Sequence, residues 1–253
     1  MLDVDPTLQF ICSAWWRPGS ADVERTFRAL DGKADFWDFH PWVDDYPSAQ
    51  KVEASLRSMQ QLFHQWNPAT KMRCAIFEEN GDSHGVRRAL CHAIVQNAVR
   101  RMGDFVLCTC PANALEPYRQ NDNGWNQGQI FFTPDQSWGM PPYYVQQMSA
   151  LHHMPLLIES NLAQANPMLD VTATCNESRT STVLHIVNIA SSAQSLRLDG
   201  LEGLATITTL SGDEAAENTP EQPLRISPRT TKQSVSEPLL LRPHSYTVVR
   251  IDK

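Results

Sequence analysis

The sequence predicts an α/β region of parallel strands joined by crossover helices, followed by an all-β antiparallel sandwich. Three observations carry that prediction. From Thr7 to Thr109, short apolar runs alternate with longer segments whose apolar residues recur at helical intervals. The short runs are too uniformly apolar to have a wet face, as expected of parallel strands buried on both sides. From Val171 onward the helical period is lost, and short alternating segments are punctuated by Pro, Gly, Ser and Asn. The change of character near residue 165 divides the chain into 1–160 and 161–253.

The first region reads in order. TLQFICSA (Thr7–Ala14) has strand length and ends in a loop holding Trp15, Trp16, Pro18 and Gly19. Ala21 to Leu30 places Val23, Phe27 and Leu30 on one helical stripe. Asp35 to Phe39 is a second strand, ending at His40, Pro41 and Trp42. Ser48 is the predicted N-cap of a long helix to Trp66, with Val52, Leu56, Met59 and Phe63 on its apolar face. Met72 to Phe77 is the third strand. Its helix runs from Gly85 to Met102, with Val86, Leu90, Ala93, Ile94 and Ala98 inward. Phe105 to Thr109 is the fourth strand, and a long loop from Glu116 to Gly128 follows. In the second region Val183, His185, Val187 and Ile189 share one face of a strand, with Leu184, Ile186 and Asn188 on the other.

Composition excludes several classes. A chain with 42% hydrophobic and 19% charged residues can bury a core. Its net charge is −7 with no cluster of basic residues, which argues against nucleic acid and anionic membrane surfaces. No apolar stretch approaches the roughly 20 residues needed to span a bilayer. Residues 1–14 lack the basic start and apolar centre of a secretory signal, so the expected location is the cytoplasm. Six cysteines sit mostly within apolar runs, where a small hydrophobe is their expected role. Cys108 and Cys110 have no second pair nearby to complete a zinc site, and the eight histidines form no HExxH pattern. The sequence therefore predicts no metal and no cofactor.

The chemistry-bearing stretch is KMRCAIFEENGDS (Lys71–Ser83), where an apolar strand ends in Glu78 and Glu79 before Asn80, Gly81 and Asp82 break it. In parallel βα architectures catalytic groups project from that end of the strands. The same end gathers Trp15 and Trp16, then His40 and Trp42, and later Asn113. Acid, histidine and tryptophan together suit a sugar site, where aromatic faces cover C–H faces and charged groups grip hydroxyls. Each also has a plainer reading: glutamates solvated at a loop mouth, tryptophans packed under a loop.

Four stretches resemble the alpha-L-arabinofuranosidases of glycoside hydrolase family fifty-one. DPTLQFICSA (Asp5–Ala14) is similar to the family's fifth barrel strand. FWDFHPW (Phe36–Trp42) is similar to the sixth, and AIFEEN (Ala75–Asn80) to the seventh, which bears the nucleophile. TTLSGDEAAENTPEQPLRISP (Thr208–Pro228) with LLLRPHSYTVVRI (Leu239–Ile251) resembles the closing sandwich. The resemblance implies the second half of a (β/α)8 barrel followed by a jelly-roll-like antiparallel β-sandwich. It also implies a retaining enzyme that releases terminal arabinofuranose from hemicellulose or arabinan side chains.

Carried over by residue, the resemblance makes Glu79 the nucleophile. Asn80 stands where the family usually has an aromatic, and a register shifted by one gives the role to Glu78. His40 matches the active-site histidine and Trp42 an aromatic of the sugar pocket. Trp125 and Gln127 (or Gln129) fall in the loop after strand eight, where some members place a sugar-contacting glutamine. The family's general acid/base is the glutamate of an Asn–Glu pair on the fourth strand, and no such pair precedes Asp5. The expectation is thus an incomplete catalytic set, self-association or pairing with an N-terminal half, and an arabinofuranoside-containing oligo- or polysaccharide as ligand. Two rival classes are a non-catalytic carbohydrate-binding protein and an unrelated strand–helix enzyme whose acids hold a metal.

Overall fold

The structure, a computed structural model, describes residues 4–13, 15–120 and 127–252. Its first layer is a parallel sheet of β1 (Ile11–Ser13), β2 (Phe36–Asp38), β3 (Arg73–Glu79) and β4 (Val106–Pro111), ordered β1-β2-β3-β4. The crossovers are α1 (Ala21–Leu30), α2 (Tyr46–Trp66) and α3 (Val86–Arg101). Ser20 caps α1 by accepting the Asp22 N–H. On α2 the cap is Asp45 rather than the predicted Ser48: its carboxylate accepts the Ser48 N–H at 2.7 Å, and Pro47 fits the first turn.

Alternation along these strands sorts their side chains. Trp37, Cys74, Ile76 and Val106 point to the helices and join a core with Phe27, Leu56, Met59, Phe63, Leu90 and Ile94. Phe27 and Phe63 stack there with centroids 4.7 Å apart. On the opposite face Ile11, Phe77 and Leu107 remain 46%, 40% and 47% exposed. That is an open apolar face on a kind of sheet that ordinarily has both faces covered.

Helix α3 departs from the stripe its sequence predicts. Nearly every residue from Val86 to Ala98 is buried, polar ones included. The reason is its position: it lies between the parallel sheet, α2, α4 (Pro141–Leu151) and the antiparallel sheet of the second region. A helix enclosed on all sides must satisfy its polar groups internally. Arg88, His92, Gln96 and Arg100, four apart and so on one ridge, reach in turn the backbone after β3, Glu79, Gln146 and Ser149. Asn97 donates to Asp170 Oδ1 at 2.6 Å and Arg101 to Asp170 Oδ2 at 2.9 Å, which ties the helix to the second region.

Around the segment read as a long loop, and after it, lies a small sheet of β5 (Leu115–Pro117), β6 (Ile130–Phe132) and β7 (Ser137–Gly139). It is built around Phe131, Trp138 and Met140, with strands too short to leave a periodic signal.

The second region is a six-stranded antiparallel sheet ordered β13-β12-β15-β10-β9-β8. Its strands are β8 (Leu156–Ile158), β9 (Leu169–Cys175), β10 (Ser181–Asn188), β12 (Leu204–Ser211), β13 (Arg229–Ser234) and β15 (Ser245–Asp252). A two-stranded sheet of β11 (Gln194–Leu196) and β14 (Leu239–Leu241) lies over it. Val183, Val187, Leu210, Tyr246 and Val248 face the helices, whereas Leu184, Ile186, Ile207, Val249 and Ile251 pack beneath Leu239 and Leu241. The two regions join at α3. Its first turn has no side-chain cap, and the N–H groups of Val86 and Arg87 donate to the carbonyls of Ala216 at 3.2 Å and Glu214 at 2.9 Å. Gly85 permits this approach, since a Cβ there would lie 2.7 Å from the Glu214 carbonyl oxygen.

Candidate active site

The C-terminal ends of β2 and β3 are bound together by backbone. Asn80 N–H donates to Pro41 O at 3.0 Å, and Val43 N–H to Asn80 O at 2.9 Å. Beneath them the buried Arg88 donates to the carbonyls of Val43 and Glu79, each at 2.9 Å, and to that of Asn80. Burial pushes its guanidinium below the usual arginine range. Gly81 lies against this guanidinium: a Cβ would fall 2.2 Å from Arg88 Nη1 and 2.8 Å from Asp44 Oδ1. Asp44 completes the turn by accepting the Asp82 N–H at 3.1 Å and the Ser83 hydroxyl at 2.8 Å.

On this frame the two glutamates part. The pairing of β3 with β4 shifts register between Ile76 and Glu79, so strict alternation fails where the acids stand. Glu79 is fully buried. His92 Nδ1 lies 2.5 Å from its Oε1, and the Thr109 hydroxyl donates to its Oε2 at 2.9 Å. A carboxylate only accepts, so His92 Nδ1 carries the hydrogen and Nε2 is left as an acceptor, 3.5 Å from Gln129 Nε2. Burial holds the His92 imidazole below its ordinary pKa, and the neighbouring Glu79 charge works against that.

Glu78 is the open one, its side chain 44% exposed. Its Oε2 lies 3.4 Å from His40 Nδ1, and His40 Nε2 lies 2.7 Å from Asp38 Oδ2. Asp38 is itself fixed, accepting the Phe77 N–H at 3.1 Å through Oδ1. Asp38, His40 and Glu78 therefore form a line from the sheet to solvent: a buried acid orients an imidazole, and the imidazole faces an accessible carboxylate.

The structure thus brings together Glu78, His40 and, on the adjoining loop, Trp42, which bridges to Asn80. Glu79 lies inside the wall beneath them. Gln127 is buried and gives its backbone N–H to Glu116 Oε2 at 2.9 Å, whereas Gln129 approaches His92. Trp125 lies outside the described residues. Among the described residues no cluster of three His, Cys, Asp or Glu could hold a metal, and no helix is long and apolar enough to cross a membrane.

Sequence reasoning missed Asp38, although it stands at the end of β2 and only two residues before His40. It also missed His92, Arg88 and Thr109. Their contacts join positions 8 to 45 residues apart, and no local pattern marks them.

The family model for the alpha-L-arabinofuranosidase C-terminal domain matches residues 66–245. The chain belongs to that family. Three solved enzymes share its fold. One is the alpha-L-arabinofuranosidase of Thermotoga maritima, in an arabinose complex: TM-score 0.80 and 18% identity, over 100% of this chain and 59% of that one. The thermostable family 51 enzyme of Thermotoga petrophila gives 0.78 and 17%, over 99% and 59%. The family 51 arabinofuranosidase of Xanthomonas axonopodis pv. citri gives 0.76 and 13%, over 95% and 57%. The chain thus spans 59% of the length of the first of these enzymes. No curated protein sequence matches it.

Proposed function

We propose that this chain is the nucleophile-bearing part of a retaining glycosidase that removes terminal alpha-L-arabinofuranosyl residues from hemicellulose or arabinan side chains. The observation that carries the reading is the open carboxylate of Glu78, facing His40 at the mouth of the parallel sheet. Of the two registers the sequence allows, this geometry favours Glu78, because a nucleophile must reach an anomeric carbon. Glu79, with both oxygens engaged inside the protein, anchors the strand end.

Glu78 would attack the anomeric carbon and form the glycosyl-enzyme. Asp38 would fix the His40 ring beside that carboxylate, and Trp42 would shape the sugar pocket. A retaining mechanism needs a second carboxyl about 5–5.5 Å from the first, to protonate the departing oxygen and later activate water. No other carboxylate contacts Glu78 or His40 from the open side among the described residues. We assign the second carboxyl to an N-terminal half-barrel whose strands cover the face carrying Ile11, Phe77 and Leu107. Burying that face would supply about 25 cal/mol for each Å² removed from water.

A mechanism-based arabinofuranosyl trap, applied with such strands supplied, tests the reading. It predicts covalent label on Glu78, and none in Glu78→Gln. Label on Glu79 would overturn the choice of Glu78, and no label on a chain that has demonstrably associated with those strands would sink the reading.

A further inference from the structure

The second region carries a groove that the proposed chemistry does not use. Between β14 and the β12–β13 edge of the six-stranded sheet lies a cavity of about 480 Å³. Its floor is set by strand register: Thr209 stands opposite Arg229 and Ile207 opposite Thr231, so alternate residues of both strands face the same way. Leu240 of β14 forms part of one wall, and the loop around Ile226 forms another. That loop is held in place by the buried Asn218. Its Oδ1 accepts the Ile226 N–H at 2.7 Å, and its Nδ2 donates to the Ile226 carbonyl at 2.9 Å and to Gly139 O at 2.8 Å. The rim position of Arg225, next to Ile226, is thereby fixed.

Charge sets this groove apart. Arg225, Arg229 and Arg242 line it and no carboxylate does, in a chain whose net charge is −7. None of the three guanidinium groups has an ion-pair partner among the described residues, whereas Arg25, Arg28, Arg57, Arg101 and Arg250 each sit on a carboxylate. The remaining polar lining supplies hydroxyls and an amide. Gln233, for one, donates to Pro238 O at 3.1 Å and keeps its amide oxygen as an acceptor.

We infer that this groove binds a carboxylate-bearing glycan, a run of uronic acid residues, as an accessory site on the second region. Guanidinium forks match carboxylates bidentately, and the interspersed Thr and Gln groups suit sugar hydroxyls. Nucleic acid fits less well. Among the described residues the groove has no aromatic side chain on which bases could stack. The choice of a glycan rests on the glycosidase reading; the charge of the groove does not.

The test is calorimetric titration of the full chain with oligogalacturonate and, separately, with a neutral arabino-oligosaccharide. Oligogalacturonate should bind. Binding should fall about tenfold or more in Arg225→Gln/Arg229→Gln/Arg242→Gln, and should fade at about 1 M salt, where screening shortens to about 3 Å. The melting temperature of the triple variant checks that it folds, and Arg179→Gln, outside the groove, should bind as the parent does. Equal binding of the neutral sugar, retained binding in the triple variant, tighter binding of a DNA oligonucleotide, or no binding at all would each overturn the inference. The arabinofuranosyl trap keeps the two proposals separate. Label on Glu78 without uronate binding removes the groove alone, and uronate binding without label supports the groove while removing the glycosidase.

Discussion

Glu78 and Glu79 are neighbours in sequence and opposites in circumstance. One is open, faces His40 and is restrained by a single long contact. The other is sealed in, with both oxygens engaged by His92 and Thr109 and its carbonyl held by Arg88. A buried carboxylate so satisfied is a structural group, since freeing it would strand its partners without water. An exposed carboxylate held at one side by an imidazole keeps its lone pairs available. Rigidity beneath and availability above are supplied by consecutive residues, which a strand sends to opposite sides, at a strand end where the register with β4 also shifts.

The largest expected effect separates the two in function. Glu78→Gln should lower turnover, in the chain associated with the proposed N-terminal strands, on the order of 10⁴-fold or more, with unfolding free energy unchanged to within about 0.5 kcal/mol. Parallel kinetics and denaturant titration check both halves of that statement.

Glu79→Ala should do the reverse to the fold. It leaves His92 and Thr109 unpaired in the interior and should cost about 3–5 kcal/mol, read as a lower urea midpoint. A midpoint equal to the parent's would mean that Glu79 is not held as described. Gly81→Ala strikes the floor under both acids. The new methyl would displace Arg88 or Asp44 at a cost of about 1–3 kcal/mol, and thermal melting measures it.

The smallest effect is in pH. His92 and His185 are buried and titrate below their ordinary value, His185 at about 2. In both cases burial is the leading cause. An unfolded histidine takes up its proton near pH 6.5, while these folded ones stay neutral. Their contribution is therefore fully present above about pH 6.5 and is lost as pH falls. For His185 the loss is about 1.4 kcal/mol per pH unit until its folded pKa is reached. His185→Gln should flatten the fall in melting temperature between pH 6.5 and 5 (the window is set by the unfolded pKa). An unchanged slope would show that His185 is protonated in the folded state.

Much of the parallel sheet could be read in advance, because Met72–Phe77 and Phe105–Thr109 are apolar runs set between helical stripes. The stripe predicted on α3 was too narrow, since layers that arrive from beyond residue 140 enclose the far side of that helix. The two-residue separation of Asp38 and His40 at the end of β2 was the one local pointer to that pair. Nothing local could have announced His92 beneath Glu79, and no propensity rule foresees a shift of register between Ile76 and Glu79. The small sheet around Phe131 went unread because three-residue strands carry no period.

The carbonyls of Glu214 and Ala216 that finish the first turn of α3 make the sandwich part of the scaffold of the proposed sugar site. Exchanging it for a foreign module would fray the helix end nearest to Arg88 and His92, and so loosen the ground on which Glu78 stands. Engineers seeking a smaller enzyme should therefore trim elsewhere, and lineages that reshuffle modules should pass these two on as one piece.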